Sequence, residues 1–98
     1  MSSELSWASV GERLSLLRVA KGFKHQKTFA DLLEANPGQY NHWERGRQII
    51  PVEYAVKVCI HTGATLDYIY LGKTSALPIG LASKLKILPD GLLGRSND

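Results

Sequence analysis

The chain has 98 residues, 44% of them hydrophobic, which is enough for one domain with a modest core and excludes a disordered polar chain. Twelve basic against nine acidic residues leave a formal net charge of +3, and a single cysteine, Cys59, excludes an internal disulfide and a Cys-rich zinc site. No apolar run reaches the about 18 residues of a membrane span, and the opening MSSELSWASVGE lacks the basic and apolar regions of a signal peptide, so the chain reads as cytoplasmic.

The elements follow in chain order. Residues 1–8 read as an arm. A first helix is predicted from Ser9, where SVGE makes an S-x-x-E capping box with Glu12. Val10, Leu14, Leu17 and Ala20 recur at helical spacing as its inner stripe, and Gly22 is its stop. A second helix runs from about Gln26 to Leu33, with Phe29, Leu32 and Leu33 on one face and Ala30 beside them. The third opens on Asn36 as N-cap, with Pro37 at the first helical position, where its missing N–H costs nothing. Tyr40 and Trp43 point inward and Gly46 ends it. After the connector RQIIP, a fourth helix spans about Val52 to Thr62. Val52, Ala55, Val56, Val58 and Cys59 are its core candidates, and Gly63 is its cap. A fifth, short helix runs from Leu66 to Leu71 between Thr65 and Gly72. No segment alternates with period 2, so the fold class is all-α with five helices and no sheet. Residues 74–98, with Pro78, Gly80, Pro89, Gly91 and Gly94, read as a tail or a short extra helix near Ile79 to Leu88.

Charge is distributed unevenly. Arg13, Arg18, Lys21, Lys24 and Lys27, then Arg45 and Arg47, place seven of the twelve basic residues between 13 and 47. Such clustering favours a polyanionic partner, though the same residues also serve as an ordinary solvated helix face. No Ser/His/Asp set, paired acids or phosphate loop is present, so no enzyme is read. Cys59 and His61 lack further ligands at metal spacing, so no metal or other cofactor is expected, and no small-molecule ligand is evident.

Two short helices joined by about three residues, the second with an apolar i, i+3 seam, make a helix-turn-helix. QKTFADLLEANPGQYNHWER resembles that of the lambda-repressor-like, Cro/Xre-type family of prokaryotic and phage regulators. VGERLSLLRVAKGF is similar to the family's first helix, WERGRQIIP to the exit of its third, and VCIHTGATLDYIYLGK to its fourth and fifth, so the resemblance covers about residues 9–73. It implies a five-helix DNA-binding domain acting on double-stranded DNA as a homodimer. The alternative is an interaction or antitoxin-like module that keeps the fold with weak or no specific DNA binding.

The resemblance also implies roles. Gln26 falls on a phosphate-contacting glutamine, and Ala30 on a position needing a small residue where helices cross. Arg18 and Glu44 fall on a pair that bridges the first and third helices, and Arg18 also presents charge to a phosphate. Lys24, an extra residue in the first loop, joins Lys27, Arg45 and Arg47 as phosphate candidates. Glu34 stands where the family has a turn glycine. By helical spacing Pro37, Gly38, Asn41, His42 and Arg45 face outward, and the family's reading residues fall on the first four of these. Pro37 offers only apolar contact, and Gly38 permits close approach. Asn36 (also explicable as a cap alone), Asn41 and His42 are left as polar base readers, backed by DNA shape. The pairing surface is read as Tyr68, Tyr70, Leu71, Leu77, Ile79, Leu81, Leu85 and Leu88, with folding of 79–88 over the chain's own core as the alternative.

Overall fold

The computed structural model describes residues 6–85, and these form six helices and no strand. They are α1 (Trp7–Ala20), α2 (Gln26–Leu32), α3 (Pro37–Glu44), α4 (Val52–Thr62), α5 (Leu66–Leu71) and α6 over 79–85. The expected arm and tail extend beyond the described residues, and Leu88 of the expected pairing surface lies outside them.

α1 starts one turn earlier than the capping box predicts. Ser6, not Ser9, is the N-cap and accepts from the Ser9 backbone N–H at 3.0 Å, while its hydroxyl donates to Ser9 Oγ at 2.8 Å. The added turn is recruited by packing, because small residues let α1 lie directly on the exit of α3. A Cβ on Gly11 would sit 2.4 Å from the Glu44 carbonyl oxygen, and one on Gly46 would sit 2.9 Å from Ala8 Cα.

The first three helices stop by the same hydrogen-bond chemistry. After α1, Gly22 N–H donates to Val19 O and Phe23 N–H to Arg18 O. After α2, Glu34 donates to Asp31 O and Ala35 to Ala30 O; after α3, Gly46 donates to Trp43 O and Arg47 to His42 O. Each is a Schellman motif, which places the residue after the cap in the left-handed region. Glycine fills that place twice, but after α2 it is Glu34, at φ 60°.

α1 packs on α3 and α5, α2 on α3, and α4 on α5. The core holds Val10, Leu14 and Leu17 of α1, Phe29 and Ala30 of α2, Tyr40 and Trp43 of α3, Ala55 and Val58 of α4, and Tyr68 and Ile69 of α5. An aromatic line crosses it: Phe23–Phe29, Phe29–Tyr40, Tyr40–Trp43 and Trp43–Tyr54 have ring centroids 5.1, 5.7, 5.9 and 5.2 Å apart. Tilted and edge-on contacts of this kind stabilise beyond area burial.

Three expectations about burial change. Leu32, Val52 and Val56 are exposed rather than core. Outside the polar row Glu53, Lys57 and His61, α4 is apolar on both flanks, so periodicity leaves its inner face open. Packing against α5 selects Ala55, Val58 and Thr62, with the Thr62 hydroxyl donating to Val58 O. Conversely, Tyr68, Leu77, Leu81 and Leu85 of the expected pairing surface are buried in the chain's own core. α6 folds back over the domain, and Tyr70 turns its hydroxyl to Ile50 O at 2.7 Å.

Candidate nucleic-acid interface

The unit α2–turn–α3 is held by one buried carboxylate. Glu44, in the last turn of α3, accepts from Arg18 Nε at 2.8 Å and Nη2 at 3.3 Å, from Gln26 Nε2 at 2.7 Å and from the Tyr40 hydroxyl at 2.6 Å. The Arg18 and Glu44 side chains are only 10% and 5% exposed. A buried ion pair is tolerable when its remaining donors and acceptors are met, and here four of the five Arg18 N–H groups and both Glu44 oxygens have partners. Arg18 Nη1 also donates to the Phe23 and Lys24 carbonyls at 2.8 Å each, clamping the loop between α1 and α2. Burial works against the Arg18 charge, but the Glu44 carboxylate outweighs it and the guanidinium pKa is raised. Burial, then the Glu44 carboxylate, hold the Tyr40 hydroxyl far above its ordinary range, so it remains a donor.

The network runs outward to the predicted contact residues. Asn41 Nδ2 donates to Gln26 Oε1 at 2.8 Å, so the first residue of α2 and the outer face of α3 are tied by their amides. Each amide nitrogen retains a second hydrogen for another acceptor. Asn36 caps α3, accepting from Gln39 N–H at 3.0 Å, which commits its oxygen and leaves its NH₂. Pro37 is half-buried and Gly38 exposed at the helix start. His42 is half-buried, with Nδ1 buried and unpartnered among the described residues.

The cations separate into two groups. Arg13 and Arg18 are structural: Arg13 Nε and Nη2 donate to the Ile69 and Tyr70 carbonyls at 3.0 and 3.2 Å, near the end of α5. Arg18 is buried, so the expectation that it also presents charge to a phosphate is withdrawn. Lys24, Arg45 and Arg47 are exposed and form no ion pair among the described residues. Lys27 is exposed and pairs with Asp31 one helical turn on, at 2.9 Å. At such exposure the pair is weak and yields readily to a stronger anion.

Sequence reasoning missed the exposed amides Gln39 and Gln48, which hydrogen-bond each other beside α3. Nothing in helical spacing links residues nine apart. It missed Tyr40's polar role too, because an aromatic seam announces burial and not the hydroxyl's partner. No group of histidine, cysteine and acidic side chains among the described residues has the makings of a metal site, and no helix there is long and apolar enough to cross a membrane.

Comparisons with family models, with curated proteins and with solved structures gave no match to this chain.

Proposed function

We propose that this chain is a DNA-binding transcriptional regulator of the lambda-repressor-like kind, acting as a two-fold dimer and placing α3 in the major groove. The observation that carries the reading is the outer side of the α2–α3 unit. The start of α3 has no bulky side chain at Gly38, and Asn41 and His42 follow it, one helical turn before the exposed cations Arg45 and Arg47. Lys24 and Lys27 flank the start of α2. Lys and Arg supply sequence-independent affinity by counterion release. Gln26, held by Glu44 and Asn41, offers an oriented amide to the backbone, while Asn41 and His42 reach base edges. Its resemblance to prokaryotic and phage regulators implies a cytoplasmic site of action.

A second reading has its own support. Asn36 Oδ1 is spent on a cap, Asn41 is partly spent on Gln26, and Pro37 and Gly38 bring no polar group. A protein-interaction or antitoxin-like module would need no more. DNA selected from a random pool, then titrated at two salt concentrations, separates the readings. On the selected site, Asn41→Ala or His42→Ala is expected to cost about 1–3 kcal/mol, with little change on random DNA, whereas Arg45→Ala weakens both alike. Binding absent at low salt, or equal losses on both DNAs for Asn41 and His42, would defeat the regulator reading or its base readers respectively.

A further inference from the structure

We infer that the outer face of α4 is where two copies of this chain pair, the helices running antiparallel about a two-fold axis near Val56. This supplies the two-fold contact that the proposed function requires and rests on that reading for its use, but the contact is derived without DNA.

The face is defined by three aliphatic side chains in one row. Val52, Val56 and Ile60 are spaced by four residues and are 59%, 39% and 72% exposed. The opposite side of α4 is spent on the core through Ala55, Val58 and Thr62. β-Branched residues lower helix propensity slightly, and in the single chain these three leave much of their apolar surface in water. Single exposed aliphatics need no explanation, but a row along one helix is an unpartnered stripe. It continues toward α6: Ile60 lines a cleft of about 430 Å³ together with Pro78 and Gly80, the two neighbours of the exposed Ile79.

The occupant follows from the symmetry of this row. A two-fold interface uses the same patch on both subunits, so the patch must complement itself. Antiparallel pairing centred on Val56 lays Val56 against Val56 of the second copy and Val52 against Ile60, aliphatic on aliphatic throughout. Charge agrees with that direction. Glu53 and Lys57 lie along one border of the row, and the two-fold brings Glu53 of each copy beside Lys57 of the other. Within one chain Glu53 forms no ion pair among the described residues, while Lys57 reaches Glu34 at 3.1 Å and lies over the Tyr54 ring, 5.1 Å from its centroid. Parallel two-fold pairing would place the Glu53–Lys57 borders of the two copies on opposite sides of the contact, so neither charge would meet its complement. The residues expected to pair subunits are instead consumed by the core: Tyr68, Leu77, Leu81 and Leu85 are buried. The α4 face is small beside the roughly 800 Å² per partner of a standard interface, so the dimer is weak and concentration-dependent.

Sedimentation equilibrium of the full chain without DNA tests this. The wild type is expected to pass from monomer to dimer below about 0.5 mM. Val56→Glu, and Ile60→Glu at the more exposed end of the row, should remain monomeric over that range with the helical signal retained, Ile60 being 72% exposed in the monomer. Glu53→Lys should raise the dissociation constant about tenfold or more, and adding Lys57→Glu should restore it. In a Cys59→Ser background, Val56→Cys should form an intermolecular disulfide on oxidation, since the axis brings the two copies of that position together. A wild type that is monomeric throughout, a Val56→Glu chain that still dimerises, or a double swap that does not recover affinity overturns the inference. A chain that pairs but binds no DNA defeats only the DNA reading. One that binds DNA yet never pairs defeats this inference and the two-fold part of the proposed function, while leaving DNA binding itself standing.

Discussion

Glu34 holds the least favourable backbone conformation among the described residues, being the only non-glycine there with positive φ. A left-handed L-residue costs about 1 kcal/mol or more. The Glu34–Lys57 contact at 3.1 Å returns little, because the Glu34 side chain is 80% exposed. Glu34→Gly is therefore expected to raise stability by up to about 1 kcal/mol, read as a higher denaturant midpoint at unchanged slope. Glu44 presents the opposite case. Its removal leaves Arg18 charged and buried, with the Gln26 amide and Tyr40 hydroxyl deprived of their acceptor. Breaking such a pair from one side costs about 3–5 kcal/mol, so Glu44→Ala should lower the melting temperature markedly even without DNA. An unchanged melt would mean that the network is dispensable.

Between elements, the controlling contact is that of α1 on the exit of α3. Alanine is the better helix former by about 1 kcal/mol, so propensity alone would favour Gly11→Ala. Packing decides the sign, because the new Cβ would lie 2.4 and 2.5 Å from the Glu44 and Trp43 carbonyl oxygens. Neither backbone can yield without moving α3, and the expected cost is about 3 kcal/mol or more. Chemical denaturation monitored by far-ultraviolet circular dichroism measures it; a stabilised Gly11→Ala chain would show that the two helices can separate freely. On the proposed reading the same substitution should also weaken DNA binding, because α1 packs on α3 and sets how that helix is presented.

At the scale of the whole molecule, α6 is part of the domain. Leu77, Leu81 and Leu85 are each less than a tenth exposed. At about 1.5–3 kcal/mol per buried leucine, they contribute on the order of 5 kcal/mol, similar to the entire stability of many small domains. Truncation after Lys73 is accordingly expected to give a largely unfolded chain, seen as loss of helical signal and a vanished melting transition. Leu81→Ala, a milder change, should cost about 2–5 kcal/mol and leave the chain folded at low temperature. A truncated chain with intact cooperative melting would show the core to close without α6.

Local chemistry was legible in the sequence wherever a residue acts on its own backbone or its own helix face. Asn36 and Thr65 cap α3 and α5 as their side chains require, the stops at Gly22, Gly46, Gly63 and Gly72 coincide with positive φ, and of the inward residues Phe29, Leu33, Tyr40 and Trp43 are buried while Leu32 is not. The Arg18–Glu44 contact was accessible only through the family resemblance, since the partners are 26 residues apart. What remained open depended on choices between equivalent local options. Ser6 and Ser9 are both competent caps, and close packing of Ala8 and Gly11 on α3 selected the earlier one. α4 offers two aliphatic faces, and contact with α5 determined which is buried and which is left exposed. The leucines after Lys73 suit a core or an interface equally well by composition. Only the path of the chain brings them back over the domain, because burial is a property of where a side chain is delivered and not of the side chain itself.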